Sequence, residues 1–211
     1  MPNWTYNTLQ VSGNKEFLAD FIAKTIKPAN EEDYDSRGKF TFKELHPIPQ
    51  TLQGDYSPLP KLENETDQEF QARMLRNKFL YGACDWYDWC VTNWGTKWDA
   101  CYTELEQIEE DYIYIKFNTA WSPPLDWFYK VIPMYPDLEF DLIFDIEGDE
   151  NCGILMGRNG DWELEMGTLF YTDEDGRMVE YNLKEHLWQY IDSQELITDE
   201  DFYPIDVNPF A

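Results

Sequence analysis

The chain has 211 residues, 43% of them hydrophobic and 17% aromatic, and a formal net charge of −26 from 42 acids and 16 bases. That is enough apolar material for a sizeable core in one large domain, and the aromatic load excludes global disorder. The charge disfavours direct binding to nucleic acid or to an anionic membrane.

Tyr6 to Val11 reads as a strand. A helix capped by Asn14 follows, with Phe17, Leu18, Phe21, Ile22 and Ile26 at helical spacing and Lys24, Lys27 and Pro28 at its stop. Lys39 to Leu45 alternates Phe40 and Phe42 with polar neighbours, which predicts a second strand. His46 to Leu62 carries Pro47, Pro49, Pro58 and Pro60 and is irregular. Thr66-Asp67-Gln68-Glu69 is a capping box. The helix it opens is expected to run to about Cys90 on a stripe of Ala72, Leu75, Phe79, Ala83, Trp86 and Cys90, with Arg73, Arg76 and Lys78 as a basic cluster. Asn93 to Trp98 forms an aromatic loop.

Tyr112 to Phe117 is the third strand, with Tyr112 and Tyr114 on one face and Ile113, Ile115 and Phe117 on the other. Ser122 caps the next helix, with Pro123 at its first turn, and Pro133 and Pro136 end it. Leu138 to Ile146 is the fourth strand. Asn159-Gly160 joins two more strands over about 152–158 and 161–171. Asn182 opens a last helix to about Ser193, before an acidic tail. The order fits a split pair of βαβ units, an α+β ferredoxin-like fold. The expected organisation is a ferredoxin-like domain over 1–147 with a helical insertion at about 63–92. An acidic hairpin and helix over 148–211 is expected to pack on the same sheet.

Met1-Pro2-Asn3-Trp4 lacks the features of a secretion signal, and no apolar run is long enough to span a membrane. Cys84, Cys90, Cys101 and Cys152 form no Cys-x-x-Cys pair, so reduced thiols and no structural zinc are expected. His46 and His186 lie in no catalytic motif, and no phosphate-binding glycine motif is present. Two carboxylate groups are the candidates for a divalent ion: Asp145, Glu147 and Asp149, and Asp173, Glu174 and Asp175 before Gly176. Neither completes a calcium loop, and no metal or other cofactor is expected.

Three blocks of sequence go together. Met1-Pro2-Asn3-Trp4-x-x-Asn7 with Val11-x-Gly13, then Asn93-Trp94-Gly95-Thr96-Lys97-Trp98, then Phe117-x-Thr119-Ala120-Trp121-Ser122-Pro123-Pro124, resemble the YubB-type ferredoxin-like family carried by phages and plasmids. The resemblance implies a mobile-element protein working in a bacterial cytoplasm and supports the fold. It implies no catalytic residue. The motif residues read mainly as structural anchors. Trp94, Trp98 and Trp121 also form a candidate platform for a base or other ring ligand.

The charge is concentrated: residues 1–98 carry −3 and residues 99–211 carry −23. With the apolar residues of the fourth strand facing the core, Glu139, Asp141, Asp145 and Glu147 fall on the other face, and Asp161, Glu163 and Glu165 alternate along the following hairpin. Duplex DNA carries one charge per ~1.7 Å, so 23 charges match ~39 Å of duplex, close to the ~40 Å diameter of a compact chain of this length. The leading expectation is therefore a non-enzymatic, DNA-mimic-like inhibitor that covers the basic surface of a host nucleic-acid-binding defence protein. Its expected contact residues are those seven carboxylates with Asp173, Glu174 and Asp175. The alternatives are a ligand-binding module on Trp94, Trp98 and Trp121 and a divalent-metal-dependent enzyme.

Overall fold

A computed structural model describes residues 3–29, 37–54, 56–148, 152–172 and 178–182. The first strand, β1 (Trp4–Gly13), leads into α1 (Lys15–Thr25), where the Asn14 side chain accepts the Glu16 amide at 3.0 Å as the N-cap. After a long connection come β4 (Cys101–Ile108) and β5 (Tyr112–Ala120), then α4 (Leu125–Val131) and β6 (Leu138–Ile146). β7 (Cys152–Arg158) and β8 (Asp161–Met166) follow as a meander. The six strands form one antiparallel sheet in the order β4-β5-β1-β6-β7-β8. Its first four are two βαβ units, β1-α1-β4 and β5-α4-β6, interleaved as the ferredoxin-like fold requires.

Alternation along the strands builds the core. Leu9 and Val11 of β1 pair with Ile115 and Ile113 of β5 and with Leu142 and Phe140 of β6. All six are fully buried under Leu18 and Phe21 of α1 and Trp127, Phe128 and Val131 of α4. Each such side chain contributes roughly 1.5–3 kcal/mol by leaving water. Gly157 of β7 lies so close beneath the helical layer that a Cβ would stand 2.9 Å from Ile132. The β7–β8 turn uses Asn159 and Gly160, at φ +55° and +77°, as the hairpin signal requires.

Four elements differ from the sequence reading. The second strand of the ferredoxin-like core is β4, not Lys39–Leu45. Only Lys39–Phe40 is extended (β3), paired with Ile26–Lys27 (β2) as a short ribbon. Phe40 and Phe42 both turn into the core, because the Thr41 hydroxyl and the Phe42 amide donate to Asp99. β4 carries register shifts between Cys101 and Glu104 and between Leu105 and Gln107, which break its alternation and hide it. The long helix to Cys90 is two helices, α2 (Asp67–Tyr81) and α3 (Trp86–Trp94). Gly82 ends α2 in the left-handed conformation, and Asp85 caps α3 through the Asp88 amide.

The N-cap of α4 is Pro124 rather than Ser122, whose hydroxyl is used elsewhere. The second hairpin strand stops at Gly167 (φ +78°), and the chain resumes in a separate ribbon of β9 (Thr168–Thr172) and β10 (Met178–Asn182). The expected last helix and His186 lie outside the described residues.

Candidate functional site

The three motif blocks meet at one end of the sheet. Asn7, buried in β1, donates through its amide nitrogen to Thr5 O (2.9 Å), Phe117 O (3.3 Å) and Thr119 Oγ1 (3.0 Å), so the first block grips the third. The second block grips it too: Thr96 donates to Ala120 O at 3.0 Å, and Ser122 donates to Gly95 O. Gly95 is the left-handed C-cap of α3 (φ +81°), and a Cβ there would stand 3.1 Å from Pro123 O. Gly13 (φ +131°) makes a similarly close approach at the far end of β1, against Asp137 O. These residues are a lock between elements distant in sequence, which accounts for Asn7, Gly13, Gly95, Ser122 and Pro123.

The lock sets the backbone of Trp121 at φ +73°, an unusual conformation for a bulky residue. Its indole is 44% exposed. Lys97 from the second block lays its ammonium over three rings, 4.7 Å from the centre of Trp98, 4.9 Å from Trp121 and 5.6 Å from Tyr87. Trp98 in turn lies 6.2 Å from Trp4, and Trp4 meets Tyr102 edge-on at 5.2 Å. Tyr102 also holds a positive φ (48°) and is 56% exposed. Tyr6, two residues along from Trp4 on the same side of β1, is exposed as well. Beside them Glu147 accepts the Trp4 amide at 3.0 Å. The result is an aromatic patch with one cation in its middle and a carboxylate at its rim.

Trp94 is not part of this patch. It is buried in the core, with its indole N–H donating to His46 O at 2.9 Å, so the expected three-tryptophan platform reduces to Trp98 and Trp121. Asn93 sits behind it as a scaffold residue, accepting from Lys130 Nζ at 2.9 Å and lying 3.3 Å from His46 Nε2. His46 stacks on Trp89, and burial pushes its pKa below the ordinary value. Burial likewise raises the Cys90 thiol to about 12, which keeps it unreactive. Tyr6, Tyr87, Lys97 and Tyr102 were not singled out by sequence. Tyr6 and Lys97 stand inside the motif blocks, whereas Tyr87 and Tyr102 carry no sequence signal.

The carboxylate surface is only partly as expected. The register puts Glu139, Asp141, Asp145, Asp161, Glu163 and Glu165 on the face of the sheet away from α1, α3 and α4, and Glu147 just past the end of β6. That face is not uniformly open. Ile143 and Ile154 are buried in its middle beside Met156, and Asp141 and Glu165 are themselves buried. Arg158 donates to Asp141 at 2.8 Å and stands 3.8 Å from Glu139. The cation on this face is thus Arg158, while Arg73 forks onto Glu65. The exposed acids are Glu139, Glu147, Asp161 and Glu163. The unbroken runs Leu142-Ile143-Phe144 and Ile154-Leu155-Met156 are the signal of strands buried on both faces.

Asp149, Asp173, Glu174 and Asp175 lie outside the described residues. Among the described residues no three His, Cys, Asp or Glu side chains are grouped to hold a metal ion, and no helix is long and apolar enough to cross a membrane.

No curated protein matches the chain. The crystal structure of protein api92 from Yersinia pseudotuberculosis aligns with 79% of this chain and 98% of its own, at a TM-score of 0.45 and 10% identity. Residues 94–195 match the family model of the ferredoxin-like domain in Api92-like proteins, a span that includes β4 to β8 and most of the second and third motif blocks. Over residues 94–195, just under half of its length, the chain is thus similar to the ferredoxin-like domain of Api92-like proteins.

Proposed function

We propose that this is a non-enzymatic binding protein that covers the basic, nucleic-acid-binding surface of a partner protein. The observation that carries the reading is the aromatic patch of Tyr6, Trp98, Tyr102 and Trp121 beside Glu147, in a chain of net charge −26. Tryptophan and tyrosine, with arginine, are enriched among the few residues that carry most of the energy at protein interfaces. The acidic field supplies fast, salt-sensitive association with a basic partner. The exposed Glu139, Asp161 and Glu163 add negative charge towards the other end of the face that carries Tyr6. The YubB-type resemblance supports a phage or plasmid protein acting in the bacterial cytoplasm. Inhibition of a restriction or CRISPR-type defence component is the use that fits both charge and origin.

A second reading takes the same patch as a platform for a nucleobase or other ring ligand. It is favoured by the placement of the Lys97 ammonium between the Trp98 and Trp121 rings. One experiment separates the two. The tagged protein, a Trp98→Ala/Trp121→Ala variant and a Glu147→Lys variant are used to capture partners from bacterial lysate at 50 and 500 mM salt. The proposal predicts a nucleic-acid-binding protein held at low salt, released at high salt and lost with both variants. Capture that is independent of salt and of these residues contradicts it.

A further inference from the structure

Helix α2 is stabilised locally rather than by the sheet. Thr66 and Glu69 close its capping box, Gly82 ends it, and Asn77 donates to Cys84 O at 3.0 Å. Asn77 is its only buried residue. A lone 15-residue helix is marginal in water, and an apolar stripe on one normally packs against something. Here Gln68, Ala72, Leu75 and Phe79 recur at spacings of four, three and four, and Leu75 and Phe79 are 68% and 87% exposed.

We propose that this stripe is a self-association surface, with α2 packed antiparallel on α2 of a second copy about a twofold axis between Ala72 and Leu75. Charge selects the occupant and the orientation. Asp67 and Glu69 stand in the first turn, while Arg76 and Lys78 stand towards the end. Antiparallel pairing sets Glu69 beside Arg76 on one flank, Phe79 across from Gln68, and Leu75 across from the small Ala72. A parallel pair sets like charge against like. Every contact is reciprocal, as an isologous twofold interface requires. With three bases against two acids, α2 is also a place where two chains of charge −26 approach without local repulsion. A single helix pair buries less than a standard interface, so a weak, concentration-dependent dimer is expected.

The inference does not depend on the partner proposed above. Sedimentation velocity of the full chain from 1 to 500 µM tests it. The expected result is a monomer–dimer equilibrium that Phe79→Glu weakens at least tenfold. Gln71→Glu, which shares its flank with Lys78 of the second copy, is expected to tighten it about threefold, a gain that misfolding cannot mimic. Circular dichroism checks that the variants keep their helix. A wild type that stays monomeric at 500 µM, a dimer indifferent to Phe79→Glu, or a Gln71→Glu variant that fails to tighten overturns the proposal; the first result assigns the stripe to a different occupant.

Discussion

Asn7 is a polar side chain in the middle of an apolar sheet, where its amide nitrogen shares two hydrogens among Thr5 O, Phe117 O and Thr119 Oγ1 while its Oδ1 is buried without a hydrogen-bond partner among the described residues. Replacement by leucine overfills the buried site and leaves Phe117 O and Thr119 Oγ1 without that donor. The expected cost is about 2–3 kcal/mol, read as a shift in the urea midpoint with an unchanged slope. Trp121 behaves in the opposite way. Glycine adopts φ +73° freely, so Trp121→Gly is expected to keep the melting temperature within a few degrees while removing partner capture. A large loss of stability would make Trp121 a structural residue instead. The motif blocks were legible in the sequence as strings, and their residues as anchors. Which indoles stay exposed was not legible, because Trp94, Trp98 and Trp121 differ only in the direction the lock gives each backbone.

At the level of elements, the capped helix α1, the strand β6 and the Asn159-Gly160 hairpin followed from local rules that tertiary contacts did not override. β4 did not, since its bulges disturb the period that marks a strand. The break between α2 and α3 was written in Gly82 and Asp85 but masked by an apolar stripe that runs through it. β6 and β7 have two buried faces, so the carboxylate of Asp141 needs a cation, and Arg158 supplies one. Arg158→Met is expected to destabilise the fold by about 2–3 kcal/mol, less than for a fully buried pair because the arginine is about a quarter exposed. Calorimetric melting measures it.

His46 gives a pH signature at the same scale. Its folded pKa lies below the unfolded value of 6.5, chiefly through burial against Trp89, so the unfolded chain takes up the proton first. This contribution is constant above pH ~7 and lost as pH falls below 6.5. His46→Gln is expected to flatten the dependence of stability on pH between 6.5 and 5.5, as followed by urea unfolding at each pH. A wild-type slope retained in the variant would place the titrating group elsewhere.

For the whole molecule, the ferredoxin-like topology was readable from element order, while the distribution of the charge was not. Residues 99–211 hold −23 of the −26, yet part of the charge on β6–β8 is buried or paired with Arg158. The proposed surface therefore has two parts, the aromatic anchors with Glu147 at one end of the sheet and the exposed Glu139, Asp161 and Glu163 towards the other, with the buried middle of the face between them. Such a surface makes affinity depend on both indoles and salt, unlike a uniform polyanion.

The most direct measurement is competition. A fluorescent duplex is bound to the captured partner, and the protein is titrated in while anisotropy is followed. The account predicts stoichiometric release of the duplex, weakened by 500 mM salt and abolished by Trp98→Ala/Trp121→Ala. A duplex that stays bound when the protein saturates the partner would contradict it.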